Sequence, residues 1–474
     1  MLDPGRNCWR VERADRAAVV IDACDYFRLA RKAMLEAKSQ ILLVGWDFDT
    51  RIILDADASD GAPIKLGPLL SWIAKHHPQV SINILKWDLG APKLLGRGTT
   101  VLRLIRWAAT KQITFKLDGA HPMGASHHQK IVVVDDRLAF CGGIDMTASR
   151  WDTREHRDRD QGRRRPTTGR SYQPWHDASM AVDGAAARAL GELARARWEI
   201  AGGKPLPAPD VDSDPWPEEL RPAFRDVDVA IARTRGKHKD IEELRENEAL
   251  FVDMIARAKR FVYAESQFFA SRAVAQAVER RLAEPGGPEF VVLNPKTVDG
   301  WLYEEAMGPA RAEVMLHIAK IDKGKRFRLY TPVTKGGEDI YVHSKITIVD
   351  DEVLRVGSTN LNNRSMGLDS ECDLLIDAAE AQNAGAAAEI EALRNDLLAE
   401  HLAVPVEEVA LHFARSGSLI ATIEALRGGG RSLVPFEPEP PNAIESAAAK
   451  KEMFDPESSG EEGASAPRPG LLKG

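Results

Sequence analysis

Hydrophobic and polar positions along this chain alternate between short apolar runs and longer stretches of helical period. In YVHSKITIV, Tyr341 to Val349, the pattern is that of a β-strand, which turns successive side chains to opposite faces. His343 and Lys345 are then expected on one face, and Val342, Ser344 and Ile346 on the other. AKSQILLVGWDF, from Ala37, and AKRFVYAESQFF, from Ala258, each read as a helix end feeding a buried strand. Further strands are predicted in VSINILKWD, ITFKLD, EFVVLN and FRLYTP, with helical periodicity between them. That order predicts an α/β fold.

The pattern occurs twice. SHHQKIVVVDD, from Ser126, matches the later stretch as H-x-K-x4-D-x6-G, with His128, Lys130, Asp135 and Gly142 answering to His343, Lys345, Asp350 and Gly357. The repeat reaches back to Ala37 and Ala258, which align without gaps at an offset of 221 residues. At the motifs the offset is 215, and where DASMAVDGA meets ECDLLIDAA it is 194. The first copy therefore carries about 21 extra residues within WDTREHRDRDQGRRRPTTGRSYQ. This insert reads as a solvated loop whose arginines have acid partners nearby, or alternatively as a contact for an anionic surface. The expected organisation is a first half over 1–205, a proline-rich acidic linker over 206–225 and a second half over 226–385. A helical region over 386–430 and a disordered tail over 431–474 follow.

Composition narrows this picture without redirecting it. With 474 residues, 44% hydrophobic and 28% charged, the chain can build large cores without covalent staples. Its four cysteines are far apart with no CxxC, so free buried thiols are expected and no metal site is read from them. A net charge of −7 speaks against a surface that embraces nucleic acid. The first thirty residues hold no continuous apolar segment, and no later run reaches the roughly 20 apolar residues of a membrane span. A cytoplasmic or peripheral membrane location is expected, with secretion lacking a cleavable signal as the alternative.

The paired motifs point to attack on a phosphodiester. A neutral imidazole can attack phosphorus, while the ammonium groups of Lys130 and Lys345 hold the non-bridging oxygens as charge grows. The second histidine then protonates the leaving oxygen and later accepts a proton from the incoming acceptor. Each histidine needs an acid to fix its tautomer, and Asp177 and Glu371 hold equivalent places in the repeat. Glu371 is expected to orient His343, which lies in its own copy. Asn360 and Ser358, in GSTN, are candidate neutral donors to the phosphate, whereas the first copy has GGID with Asp145 there. Asp135 and Asp350 complete the motif set and, standing at strand-to-turn junctions, are expected to hold the turn. Trp46, Trp87 and Trp151 read as core residues, or alternatively as contacts for a headgroup or acyl chain.

These motifs resemble those of the phospholipase D superfamily. SHHQKIVVVDDRLAFCGGIDMTASRWDTREH followed by PWHD, and IYVHSKITIVDDEVLRVGSTNLNNRSMGLDSE, are similar to the two motif regions of its phosphatidylcholine-hydrolysing branch. The resemblance covers roughly residues 15 to 430. It implies two pseudo-symmetric α/β(α) sandwich halves with mixed sheets and one active site at their interface, with no cofactor and no metal for the chemistry. It also implies His128 as nucleophile and His343 as acid/base in two-step hydrolysis of a glycerophospholipid to phosphatidic acid, with transfer to alcohols beside it. The implied partners are a phospholipid at a membrane surface and water or an alcohol as acceptor, for a monomer that binds no nucleic acid. AESQFF departs from the branch's usual I-E-N-Q-F-F, and no C2, PX or PH module precedes the repeat, so calcium- or phosphoinositide-directed recruitment is not expected. A phosphatidyltransferase and a nuclease of the same superfamily are the rival readings.

Overall fold

The period-two runs become strands whose alternate residues enter different cores. Ile41 and Leu43 face one apolar cluster while Leu42 and Val44 face another, and Val132 and Val134 separate from Ile131 and Val133 in the same way. In the second half Val262 and Ala264 part from Phe261 and Tyr263. Each sheet face is thus apolar and must be covered. The computed structural model describes residues 1–88, 99–297, 301–438 and 455–458.

Strands of the first half lie in the spatial order Ile113–Asp118, Ser81–Trp87, Gln40–Gly45, Ile131–Val134, Leu138–Gly142, Ala178–Asp183, Arg10–Ile21. Those of the second repeat the order as Phe327–Val333, Glu289–Leu293, Phe261–Glu265, Ile346–Val349, Val353–Gly357, Glu371–Asp377, Phe224–Arg235. The last strands of the two series pair antiparallel, Arg10 opposite Ile231 and Ala17 opposite Phe224, and join both halves into one mixed sheet. On one face the helices Ala23–Leu35 and Leu66–His76 cover the first half, and Glu246–Arg257 and Arg272–Ala283 cover the second. Gly184–Ile200 and Ala386–Leu402 cover the other face.

The expected two-half α/β architecture is present, with four local corrections. Ala386–Leu402 follows Glu371–Asp377 as Gly184–Ile200 follows Ala178–Asp183, so the boundary expected at 385 falls inside the second repeat. The tail expected to lack order from 431 begins with Ser432–Pro435, which adds a strand beside Phe327–Val333. Asp455 is buried and accepts from the amides of Asn363 and Arg364; residues 439–454 and 459–474 of that tail lie outside the described residues. The strand holding Tyr341 stops at Val342, and the sheet resumes at Ile346, so His343 and Lys345 stand in extended backbone between two strands. The linker is packed on the first half, where Trp216 and Leu220 are buried. All four cysteines are free, and no helix among the described residues is long and apolar enough to cross a membrane.

Asp135 and Asp350 do the same structural work in the two halves. Asp135 accepts from the amides of Lys38, Ser39 and Gln40 at 2.7–2.8 Å, and Asp350 from those of Lys259, Arg260 and Phe261 at 2.6–2.8 Å. Both take positive φ, 55° and 57°, a conformation Asp tolerates because its short side chain bonds nearby backbone. Each pins a helix end to the start of the next strand. A four-residue strand, about 13 Å long, separates each from its motif lysine, so neither belongs with the motif's catalytic set. We predict that Asp350→Ala lowers unfolding free energy by about 2–4 kcal/mol in urea melts, because three amides, the one of Phe261 buried, lose a charged acceptor. Asp350→Asn, which keeps an acceptor oxygen, is expected to retain more than about a tenth of wild-type turnover; a deeper loss in folded protein would place Asp350 in the chemistry.

Candidate active site

Each motif segment is held by the other half of the molecule. The backbone amide of His128 donates to the carbonyl of Ser370, and the amide of Ser370 donates to Ser126, so the first motif runs beside the residues leading to Glu371. Tyr341–Val342 pairs in parallel with Trp175–His176, and the amide of His343 donates to the carbonyl of His176 at 2.7 Å. These two short exchanges bring His128, His343, Asn360, Trp46, Arg150 and Trp175 around one cleft.

The exchange crosses the acids. His128 donates through Nδ1 to Glu371, 2.9 Å from Oε2, and His343 donates through Nδ1 to Asp177 Oδ2 at 2.7 Å. Glu371 therefore orients His128, which corrects the expectation that it orients His343 of its own copy. With Nδ1 engaged, Nε2 of each ring is the nitrogen left for chemistry. Both carboxylates are fully buried, while His128 keeps 14% of its side chain exposed.

Two small residues explain the different ends of the motifs. A Cβ on Gly143 would stand 2.1 Å from Asp177, so the first copy needs glycine for the short acid to approach. Ser358, at the matching position, donates its hydroxyl to Glu371 at 2.5 Å, and Ser365 donates to the other oxygen at 2.8 Å. Ser358 is thus a positioning residue for Glu371; its hydroxyl is spent there and not on phosphate. Gly357, one residue earlier, leaves room for Asp373, which accepts the Ser358 amide.

The two lysines differ in compensation. Each donates to the carbonyl of the histidine two residues before it. Lys130 also pairs with Asp145 at 3.4 Å, and Asp145 accepts from the amides of Trp46 and Asp47. Asn360 replaces that acid in the second copy, and among the described residues no acid lies within ion-pair distance of Lys345. The side-chain oxygen of Asn360 is buried and makes no hydrogen bond among the described residues. Its amide remains available to the cleft.

Electrostatics in the cleft favour an anion. Burial, then Lys130 and Lys345, hold the His128 imidazole well below its usual pKa; burial, then Lys345, Arg150 and Lys130, do the same for His343. Burial also lowers the Lys345 ammonium and raises the carboxyls, Asp177 upward and Glu371 up to about 8. The cations of this site disfavour one another in a dry volume, and a bound anion relieves that repulsion.

Several cleft residues were not foreseen. Arg150 lies over the ring of Trp175 at 4.2 Å, and Trp175 stacks on Tyr341 at 4.4 Å between centroids. Gln267 donates to the Tyr341 hydroxyl, and Arg364 reaches the cleft while paired with Asp369. Their positions depend on the exchange between halves, and only PWHD, already notable beside the first motif, could have pointed to Trp175. Of the three tryptophans singled out, Trp46 lines the cleft and stacks on Trp87, whereas Trp151 packs against Gly162 inside the insert. The insert is anchored, since Asp152 accepts from Arg163, His156 and the amide of Trp175. Arg154 pairs with Glu400 and Asp396, while Arg159, Arg164, Arg165 and Arg170 are exposed.

Comparison with known proteins agrees with this site. A family model described as Phospholipase D matches residues 33–215 and 333–415, which contain both motifs. Phospholipase D A of Dictyostelium discoideum is 23% identical over 76% of this chain and 33% of its own length. Phospholipase D alpha 2 of Oryza sativa subsp. japonica is 26% identical over 72% of this chain and 58% of its own length. The chain thus spans between a third and three fifths of these two relatives. Among solved structures, phosphatidylserine synthase of Haemophilus influenzae Rd KW20 is similar with a TM-score of 0.56 and 12% identity, covering 88% of this chain and 97% of that one. At that identity the likeness concerns the fold. With more than half of its residues matched by the family model, both motifs among them, the chain belongs to the phospholipase D family.

Proposed function

We propose that the protein is a phosphodiesterase of the phospholipase D type, hydrolysing the headgroup ester of phosphatidylcholine or a similar glycerophospholipid to phosphatidic acid. The observation that carries this reading is the convergence of two imidazoles in one cleft, each backed by a carboxylate from the opposite half and each under the positive charge of the buried Lys130 and Lys345. His128 Nε2 attacks phosphorus and the bond to the headgroup oxygen breaks, while His343 Nε2–H gives that oxygen its proton. Water or an alcohol then delivers a proton to His343, its oxygen attacks phosphorus, and the phosphorus–nitrogen bond breaks. Lys345, which has no acid within ion-pair distance among the described residues, and the Asn360 amide hold the phosphate oxygens. The anion also favours the proton that His343 needs for the first step.

Phosphatidylcholine vesicles with ethanol distinguish the readings. Phosphatidic acid and phosphatidylethanol are expected together. Cleavage of single-stranded DNA without either lipid product would replace this reading with the nuclease, and exchange of the headgroup without net hydrolysis would replace it with the phosphatidyltransferase.

His128→Ala and His343→Ala are each expected to lower turnover by more than about a thousandfold. A phosphorylated chain should be trapped only where His128 is retained, with His343→Ala as the accumulating variant. Phosphate recovered on His343 would reverse the two roles.

The acid limb of the pH profile follows from Glu371. Attack requires the proton on Nδ1 of His128 and an ionised Glu371, and burial raises that carboxyl to about 8. The ionised form of Glu371 is therefore half-populated near pH 8 and is lost as pH falls below it, so kcat/KM measured from pH 5 to 9 should rise as pH climbs toward 8, while loss of the Lys345 proton, which burial moves down to about 7, opposes the rise on the alkaline side. Glu371→Gln, which keeps an acceptor but cannot titrate, should flatten this limb while lowering the maximum.

A further inference from the structure

Beside the cleft lies a second cluster that the chemistry above does not use. Asp22, His156, His176 and Glu400 are all buried, and one ligand atom from each lies within 4.8 Å of the others. They come from the end of the strand Arg10–Ile21, the insert, the short pairing beside Tyr341–Val342, and the helix Ala386–Leu402. His156 Nε2 stands 3.1 Å from Glu400 Oε1 and 3.5 Å from Asp22 Oδ2; His176 Nδ1 stands 3.0 Å from Glu400 Oε1 and 3.4 Å from Asp22 Oδ1. A tetrahedral ion with N and O ligands at about 2.0–2.1 Å has ligand–ligand edges of about 3.3–3.4 Å; Glu400 Oε1 stands near that separation from both ring nitrogens, and each ring nitrogen stands near it from one of the two Asp22 oxygens.

The outward nitrogens are held as metal-bound imidazoles are held. His156 Nδ1 faces Asp152 at 3.1 Å, and His176 Nε2 faces Glu265 at 2.9 Å, fixing the rings so that the opposite nitrogens turn inward. Two enclosed inward atoms, Asp22 Oδ2 and His176 Nδ1, make no aligned hydrogen bond among the described residues. Charge also needs a partner here. Arg163 and Arg154 offset Asp152 and Glu400, which leaves Asp22 and Glu265 to be balanced by two positive charges.

We propose that Asp22, His156, His176 and Glu400 form a closed structural site for a divalent transition-metal ion, with zinc the fitting occupant. Two imidazoles and two carboxylates in a buried tetrahedron suit zinc, and the site leaves the reaction itself to the histidine pair. Its placement gives it a positioning task. Asp22 Oδ1 accepts the amide of Asp177, and the carbonyl of His176 accepts the amide of His343, so the ion fastens the insert and Ala386–Leu402 to both sides of one catalytic dyad.

The test is metal retention by the full chain. After dialysis against zinc chloride and then metal-free buffer, about one zinc per chain is expected in wild type and in His128→Ala, and less than about a tenth in His156→Ala or Glu400→Gln. Zinc should raise Tm by about 5 °C or more over chelator-treated protein. If those variants fail to fold, cobalt on the wild-type chain serves instead, with the visible absorption of a tetrahedral site expected. Wild type that retains less than a tenth of an equivalent, with the same Tm in zinc and in chelator, would overturn the site in favour of two imidazolium protons. Loss of zinc in His128→Ala, or full retention by folded His156→Ala, would place the metal elsewhere.

Discussion

The structure of the cleft depends on an exchange of hydrogen bonds between its halves. Each histidine is carried by one repeat and oriented by an acid of the other, His128 by Glu371 and His343 by Asp177. Neither half alone holds a ring with a fixed tautomer. The joining of Arg10–Ile21 to Phe224–Arg235 puts both halves in one sheet, and each motif segment then pairs through its backbone with residues of the opposite half, His128 with Ser370 and His343 with His176. A buried carboxylate is costly without partners, and here the imidazole, the serine hydroxyls and the nearby ammonium groups supply them.

Repetition of the fold does not make the two halves chemically equal. Gly143 gives Asp177 room, whereas Ser358 gives the longer Glu371 a donor. Asp145 compensates Lys130 and accepts from two amides, whereas Asn360 stands in its place in the second copy and Lys345 has no such acid within ion-pair distance among the described residues. One dyad is therefore held by close packing and the other by hydrogen bonds, and only the first copy's lysine has an ion-pair partner among the described residues. Such a difference suits two steps that ask opposite things of two histidines.

Behind the cleft, buried polar groups tie the least repetitive parts of the chain to its most repetitive part. Glu265 receives Tyr263, Ser344, His176 and His401, while the insert contributes Asp152, His156 and Arg163. Glutamate in AESQFF is thus the centre of a network that reaches the residues flanking His343. The added helices and the insert hold the cleft from one side, through an insert that stays mostly exposed but is anchored by the buried Asp152, His156 and Arg163.

Local pattern determined a great deal of this protein. Alternation placed the strands, the two H-x-K-x4-D copies marked His128, Lys130, His343 and Lys345, and the matched positions of Asp177 and Glu371 identified the acids. Those features are periodic or repeated, so one chain suffices to see them. The sequence could not say that the acids cross, because alignment within a repeat pairs neighbours in the chain, and the hydrogen bonds form between copies. Nor could it separate the tasks of Ser358 and Asn360, which stand two residues apart but face a buried carboxylate and an open cleft. Asp22, His156, His176 and Glu400 lie far apart along the chain without a shared spacing. Only the packing of two halves, an insert and a C-terminal helix against one another brings their side chains within a few ångströms.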